Sequence, residues 1–106
     1  ETLSSNFYKF SIFDKNIINE LVEANAVGDI CGNFFDIKGN LCETDIKNRI
    51  VSIDIEELPK HKCVIGMGGG DKKVNSILGA LNGHYLNVLI TDVQTAEKVL
   101  ALAESM

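Results

Sequence analysis

An apolar run that breaks into glycines and then resumes with helical spacing limits the fold of this chain more than any other feature. Residues 63–67 read Cys-Val-Ile-Gly-Met, which is typical of a buried strand, and three glycines follow at 68–70. Beyond them, apolar residues recur at the i, i+3, i+4 and i+7 spacing of an amphipathic helix, at Val74, Ile77, Leu78 and Leu81. The chain is therefore predicted to pass from a strand through a glycine turn into a helix.

This junction is also a candidate anion site. Backbone N–H groups are uncovered at a helix N-terminus and the dipole favours negative charge there, yet Lys72 and Lys73 lie in the same first turn. A bound phosphate or carboxylate would relieve that conflict. The glycines match neither a P-loop nor a complete dinucleotide fingerprint, since Gly66-x-Gly68-x-x ends on Asp71. A tight turn that needs glycine for a positive φ explains them equally well, so both interpretations stay open.

Length and charge restrict the classes of function. The 106 residues fit one small domain, and a net charge of −5 argues against a surface that binds nucleic acid by counterion release. No apolar run approaches the ~20 residues of a membrane span, and no signal peptide is evident, so a cytoplasmic protein is predicted. Because residue 1 is Glu rather than Met, we expect an excised segment of a longer protein.

The residues that usually carry metals or covalent catalysis are not grouped. Cys31, Cys42 and Cys63 form no C-x-x-C pair and are expected to be reduced, small hydrophobic residues. Neither His61 nor His84 has a partner at the spacing of a zinc site, and there is no G-x-S-x-G elbow. The sequence thus indicates no metal, no cofactor and no catalytic residue.

The rest of the chain predicts further helices and strands by its periodicity. In the first half of the chain they are a helix from an Asp14 cap through Asn25, a hairpin over 34–43 that turns at 38–40, and a strand at 51–55 with one solvent-exposed face. In the second half they are the strand at 63–67, a helix over 71–81, a strand over 86–90 and a helix over about 93–105 that is capped by Thr91 or Asp92. In the last helix, Ala96, Val99, Leu100 and Ala103 are predicted to face inward.

The order strand, helix, strand, helix from residue 63 onward implies a parallel sheet with a right-handed crossover. The continuous apolar run at 88–90 suits a strand that is covered on both faces. Ligands of such sheets bind beyond the carboxyl ends of the strands, where the glycines at 68–70 and the Thr91-Asp92 pair both lie. This coincidence favours a binding site over a plain turn.

A second candidate is Asp29, a carboxylate between the apolar Val27 and Ile30. Burial of a carboxylate is costly without hydrogen bonds, so Asp29 either caps a turn or belongs to a site. As an acceptor with about four lone-pair sites, a carboxylate suits sugar hydroxyls. Asp29 together with Lys73 would match a ligand with hydroxyls at one end and a phosphate at the other.

Two further features are candidates. Arg49 precedes a predicted strand, a place where a lone arginine is usually only solvated. Phe34 and Phe35 are adjacent aromatic residues, of which one is expected in the core and the other at a pocket wall. The sequence does not decide between them.

Four motifs in order resemble one protein family. They are Ala-Val-Gly-Asp-Ile-Cys-Gly-x-Phe-Phe-Asp from Ala26, Arg-Ile-Val-x-Ile-x-Ile-Glu-Glu-Leu from Arg49, Gly-Gly-x-x-Lys ending at Lys73, and Leu-Ile-Thr-Asp-x-x-Thr-Ala from Leu89. Over about residues 26–102 the chain resembles the carboxyl-terminal part of the sugar-binding domain of bacterial SorC-type transcriptional regulators, relatives of the deoxyribonucleoside and central glycolytic gene regulators.

The resemblance implies an α/β fold with a Rossmann-like parallel sheet flanked by helices. This is a three-layer sandwich similar to ribose-5-phosphate isomerase, glucosamine-6-phosphate deaminase and CoA-transferase-like proteins, and residues 1–106 would be its carboxyl-terminal portion. The family's acidic residue that contacts the sugar corresponds to Asp29. Its phosphate-contacting lysine corresponds to Lys73, preceded by Gly69 and Gly70, with Gly68, Phe34 and Arg49 as further candidates and Lys72 as a neighbour.

The function implied by the resemblance is that of a non-enzymatic sensor. A sugar or sugar phosphate would bind as effector and change the state of a homo-oligomeric regulator, which would contact DNA through a domain that this chain lacks. The family's second phosphate loop has no counterpart here either. A phosphosugar isomerase or deaminase of the same fold is the alternative, since a carboxylate such as Asp29 could be its general base. A pure oligomerisation module would bind no sugar phosphate at all.

Overall fold

The computed structural model describes residues 15–45 and 51–106. The structure is mixed α/β, with short strands and α-helices that alternate in the second half of the chain. The elements are α1 (Lys15–Glu23), β1 (Gly28–Ile30), β2 (Asn33–Phe35), a 3-10 helix (Ile55–Lys60), β3 (Ile65–Met67), a 3-10 turn (Asp71–Lys73), α2 (Val74–Asn82), β4 (Val88–Ile90) and α3 (Val93–Glu104). Within these ranges, no helix combines the length and the apolar character that crossing a membrane requires.

β1 and β2 form a tight antiparallel hairpin, with Asp29 opposite Phe34. The two connecting residues, Cys31 and Gly32, both have positive φ, at 52° and 82°. Positive φ at both central positions defines a type I′ turn, whose twist matches that of paired strands. The Gly32 N–H donates to the Asp29 carboxylate at 3.1 Å, which fixes that side chain against the turn.

A second antiparallel contact confirms the hairpin predicted over 34–43, although it is reduced to one bridge between Phe35 and Leu41. The intervening loop is held by the Asp36 carboxylate, which accepts hydrogen bonds from the N–H groups of Lys38 and Asn40 at 3.0 and 2.9 Å. Because a side-chain oxygen supplies these bonds, the loop keeps its shape without a longer ladder.

β3 and β4 pair in parallel, with Ile65 opposite Val88 and Met67 opposite Ile90. The parallel pairing and the two helices predicted from residue 71 onward are confirmed. The Asp92 carboxylate caps α3 by accepting the Thr95 N–H at 2.8 Å. Among the described residues this sheet contains two strands, and the β1–β2 sheet is separate from it.

The core consists of three neighbouring clusters of buried side chains. One lies under α1, one joins the hairpin to the loop before β4, and one lies between α2 and α3. Their buried members are Ile17, Leu21, Ala26 and Phe34; Phe35, Ile55, Ala80 and Tyr85; and Val74, Ile77, Leu78 and Val99. Tyr85 links the second cluster to the loop, since its hydroxyl donates to the Gly39 carbonyl at 2.6 Å.

Some predictions of local structure are wrong. Residues 51–54 form no strand, because the Asp54 carboxylate instead caps the 3-10 helix by accepting the Glu56 N–H at 3.0 Å. Leu100 and Ala103, both predicted to face inward on α3, are exposed, Leu100 by 62%, and Leu102 packs against the cluster instead. The predicted helix cap Asp14 lies outside the described residues.

In the part of the chain that the structure describes, one face of the β3–β4 sheet is exposed, although the apolar run in β4 predicted a strand buried on both faces. The exposed fractions are 56% for Ile65, 79% for Met67, 41% for Val88 and 53% for Ile90. The other face packs onto the helices through Leu89. The hydrophobic pattern of the strands is therefore satisfied on one side only.

Tyr85→Phe removes a buried hydroxyl and leaves the Gly39 carbonyl without that partner. We expect the free energy of unfolding to fall by about 1–2 kcal/mol, the scale of a lost buried hydrogen bond. Urea unfolding followed by circular dichroism measures it, and the ring contact with Phe35 is kept. Ser52→Ala, which removes an exposed hydroxyl, is the matched control. Equal losses in both variants would contradict the assignment.

Candidate functional site

The site is a cavity of about 340 Å³ bounded by the β1–β2 hairpin, α2 and β3. Its wall is mostly apolar, with Phe35, Leu58 and Leu86 among the lining residues. Asp29 and Lys73, which are 44 positions apart in the sequence, both line it. An apolar cavity with a few converging polar groups is the usual form of a small-molecule site.

The close approach of β1 to α2 brings Asp29 to this cavity. A Cβ atom at Gly28 would lie 2.4 Å from the Ser76 Cβ atom, a separation that real side chains do not adopt. Glycine at position 28 therefore lets the hairpin contact the first turns of α2. The next residue, Asp29, then faces the cavity beside the start of that helix.

Partial burial makes the Asp29 carboxylate electrostatically unfavourable. Desolvation raises its pKa above the ordinary value, while the Gly32 N–H and the positive charge of Lys73 act in the opposite direction and only partly offset it. The charge of Lys73 is the smallest of these three influences on the pKa of Asp29. The hydrogen bond from Gly32 reaches Oδ2, so the other carboxylate oxygen is available for a ligand.

Lys73 ends the 3-10 turn that precedes α2 and is exposed. Its backbone N–H donates to the Gly70 carbonyl at 3.0 Å, so the position of its Cα is fixed by the glycine loop. Lys72, the adjacent cation, is not among the described residues that line the cavity. Of the two lysines, Lys73 is thus placed to act on a ligand there.

The glycine loop differs from the prediction of uncovered N–H groups. The Gly68 N–H donates to the Ile90 carbonyl at 3.2 Å, and the Gly70 N–H donates to the Thr95 hydroxyl at 2.9 Å. These two amides are therefore satisfied within the protein, and that part of the prediction is wrong. Gly68 lines the cavity, whereas Gly69 packs on α3, where a Cβ atom would lie 2.6 Å from the Asp92 carboxylate.

The loop is fastened to α3 at more than one point. Asp92 accepts the Thr95 hydroxyl as well as its N–H, and these bonds hold the pKa of Asp92 below the ordinary value. Asp71, directly after the loop, forms an ion pair with Lys98. Gly69 and Gly70 therefore position Lys73 through the N-terminus of α3.

The structure removes Phe34 from the candidate site. It is 3% exposed and packs with Ile17 and Leu21 under α1, while Phe35 lines the cavity. The reason is the alternation of side chains along a strand, which sends neighbours to opposite faces. Arg49, the remaining candidate, lies outside the described residues.

Ser76 and Tyr85 also line the cavity and were not singled out from the sequence. Ser76 lies three residues after Lys73, and helical residues at that spacing share a face. The spacing alone could therefore have predicted that Ser76 lies beside Lys73. Its hydroxyl donates to the Lys73 carbonyl at 3.0 Å. Within residues 15–45 and 51–106 no cluster of side chains could hold a metal, and the three cysteines are free.

Asp29→Asn is expected to stabilise the protein at neutral pH. Because the folded state raises the pKa of Asp29, its ionised form opposes folding once the pH exceeds the aspartate range, whereas at low pH the carboxyl group is neutral in both states. The gain in unfolding free energy should therefore grow from pH 3 to pH 7 in urea titrations. Glu43→Gln, at an exposed carboxylate, is the control. A gain that is equal at both pH values would contradict this cause.

Comparison with known proteins identifies the family. The sequence profile described as "putative sugar-binding domain" matches residues 2–101. The chain is 45% identical over 80 residues to the deoxyribonucleoside regulator of Bacillus subtilis and 39% identical over 82 residues to the sorbitol operon regulator of Klebsiella pneumoniae. These matches cover 76% and 77% of this chain.

A solved structure agrees with the sequence matches. The sugar-binding domain of a transcriptional repressor from Vibrio fischeri superposes with a TM-score of 0.83 at 30% identity, over 94% of this chain and 40% of that one. The chain spans about a quarter of the length of the two curated relatives, 26% of each. The predicted resemblance is thus confirmed: the chain belongs to the sugar-binding domain family of SorC- and DeoR-type bacterial transcriptional regulators.

Proposed function

We propose that this chain binds the phosphorylated sugar effector of a bacterial transcriptional regulator, in the cavity between Asp29 and Lys73. The observation that carries the proposal is one carboxylate and one ammonium group on the wall of a single, mostly apolar cavity. The cavity also reaches the carboxyl end of β3, the end at which α/β sheets bind ligands. In this proposal Asp29 and Lys73 contact the ligand with Gly68 on the cavity wall, while Gly69 and Gly70 lie outside the lining and contribute by positioning Lys73.

The two charged groups suit the two ends of such a ligand. The available oxygen of Asp29 accepts hydrogen bonds from sugar hydroxyls, which would compensate for the desolvation that raises its pKa. The exposed ammonium of Lys73 binds phosphate as a compact positive charge. The glycine amides contribute less than the sequence suggested, because Gly68 and Gly70 use theirs within the protein.

The names of the relatives favour a ligand rich in hydroxyl groups. One is named the deoxyribonucleoside regulator and the other the sorbitol operon regulator. In the proposed function, effector binding changes the oligomeric state of a cytoplasmic homo-oligomer, and DNA is contacted by a domain outside this chain. The 106 residues would then be the carboxyl-terminal portion of a three-layer sandwich that performs no catalysis.

Lys73→Ala is expected to weaken binding of a phosphorylated ligand by about 1.5–3 kcal/mol, the scale of a hydrogen bond to a charged group. Isothermal titration calorimetry with deoxyribose 5-phosphate, ribose 5-phosphate and sorbitol 6-phosphate measures this. Lys72→Ala is the matched control, since it removes an equal charge one residue away. Asp29→Ala should weaken both phosphorylated and free sugars. Equal effects of the two lysine variants would contradict a phosphate contact at Lys73.

An isomerase or deaminase remains the competing function, and the raised pKa of Asp29 is the property that a general base at this cavity would need. Incubation with each bound sugar phosphate, followed by ¹H NMR, separates the two functions. We expect the ligand to be recovered unchanged. Formation of an isomer, abolished in Asp29→Asn, would instead establish catalysis.

A further inference from the structure

Three polar side chains support the glycine loop from outside the cavity. They are Thr91, Asp92 and Thr95, at the carboxyl end of β4 and at the start of α3, and none of them is among the described residues that line the cavity. A Cβ atom at Gly69 would lie 2.6 Å from the Asp92 carboxylate. It would lie 3.3 and 3.6 Å from the hydroxyls of Thr91 and Thr95. The loop therefore packs directly on these three side chains.

A chain of three hydrogen bonds joins Lys73 to this group. The Lys73 N–H donates to the Gly70 carbonyl at 3.0 Å, and the Gly70 N–H donates to the Thr95 hydroxyl at 2.9 Å. The Thr95 hydroxyl in turn donates to the Asp92 carboxylate at 2.8 Å. The three donors follow one direction that ends on a negative charge, and hydrogen bonds in such a chain strengthen one another. Thr95 is 3% exposed, so water competes little for its hydroxyl.

Thr91 differs from Thr95, although both hydroxyls lie next to the glycine loop. The Thr91 hydroxyl is buried and has no hydrogen-bond partner among the described residues. Contact with the loop alone therefore does not engage a threonine hydroxyl, whereas the one at position 95 accepts a loop amide. The two threonines form a matched pair in which one hydroxyl holds the loop and the other does not.

The glycine loop is poorly suited to hold an anion by its own amides. Those of Gly68 and Gly70 donate within the protein, and the Asp92 carboxylate beside Gly69 disfavours a second negative charge there. A phosphate at the cavity thus depends on Lys73, which is exposed and loses rotamer freedom when it binds. A fixed backbone at this lysine reduces the freedom that remains to be lost.

On the basis of the proposed function, we propose that Thr95 is a positioning residue for the phosphate contact of Lys73. Its hydroxyl holds the Gly70 amide against α3, and the Gly70 carbonyl fixes the Lys73 backbone beside the cavity. Asp29, at the other end of the ligand, takes no part in this chain of bonds. Loss of the Thr95 hydroxyl therefore weakens the binding of phosphorylated sugars and leaves the binding of free sugars unchanged.

The first test uses no ligand and measures amide hydrogen exchange by NMR in Thr95→Val and Thr91→Val. Both variants replace a hydroxyl with a methyl group, and α3 keeps its cap because the capped group at position 95 is the backbone N–H. We expect the amides of Gly70 and Lys73 to exchange about 10-fold faster in Thr95→Val alone. Thr95→Ser, which keeps the hydroxyl, should restore slow exchange. Gly68, bonded to β4, is the internal control.

The second test measures the binding of deoxyribose 5-phosphate, inorganic phosphate and deoxyribose by NMR titration. Thr95→Val should raise the dissociation constants of the two phosphate-bearing ligands about 5-fold, the scale of ordering one long side chain on binding. It should leave that of deoxyribose unchanged. Thr91→Val should alter none of the three, and Thr95→Ser should restore the original values. Circular dichroism checks that each variant folds.

Each unfavourable result identifies which idea is wrong. Equal exchange at Gly70 and Lys73 in the two valine variants would overturn the positioning role of Thr95. An equal loss of affinity for deoxyribose and its phosphate would overturn it too, because a merely structural role weakens both. So would unchanged phosphate binding by a folded Thr95→Val. If the unaltered chain binds no phosphate-bearing ligand, the proposed function is refuted together with this role.

Discussion

The contact between the hairpin and α2 is the constraint on which the candidate site depends. Glycines allow it at two levels of the interface: a Cβ atom at Gly28 would meet Ser76 at 2.4 Å, and one at Gly79 would meet the Asp36 carbonyl at 2.6 Å. α2 is thus held against β1 and β2 on one side and against α3 on the other. Without that approach, Asp29 would not share a cavity with the start of α2.

The ionised carboxylate of Asp29 destabilises the folded state, because its contacts within the protein do not fully offset its desolvation. Burial opposes ionisation of Asp29, and neither its hydrogen bond from Gly32 nor the charge of Lys73 fully compensates. Natural proteins concentrate such local conflicts at functional sites, because a ligand resolves them on binding. The unfavourable carboxylate is therefore an independent reason to regard this cavity, rather than the surface loops, as the place where a ligand acts.

The second half of the chain could be predicted from the sequence because local signals agree there with the final packing. The spacing of Val74, Ile77 and Leu78 predicted α2, and Asp92 was a recognisable cap for α3. The strand predicted at 51–55 failed because alternation specifies two faces but supplies no neighbouring strand. Asp54 could cap the following helix, and that local hydrogen bond decided the conformation.

The site itself was only partly predictable. The sequence identified Asp29 and Lys73 because a charged side chain beside an apolar strand is costly to bury unless a hydrogen bond, solvent or a ligand compensates its charge. Which of two adjacent phenylalanines faces the cavity depends on strand register, which no local pattern reveals. The capture of the Gly70 N–H by Thr95 joins residues 25 positions apart, so the loop could not be judged from its own sequence.

The bonds between the glycine loop and α3 have a mechanical consequence. Gly70 is held by Thr95 and Asp71 by Lys98, so two successive residues of the loop are tied to the first and second turns of one helix. Lys73 follows within three residues and shares a backbone hydrogen bond with Gly70. The glycine loop and the first two turns of α3 are therefore joined through side chains, so the place of the Lys73 backbone depends on where α3 lies as well as on α2.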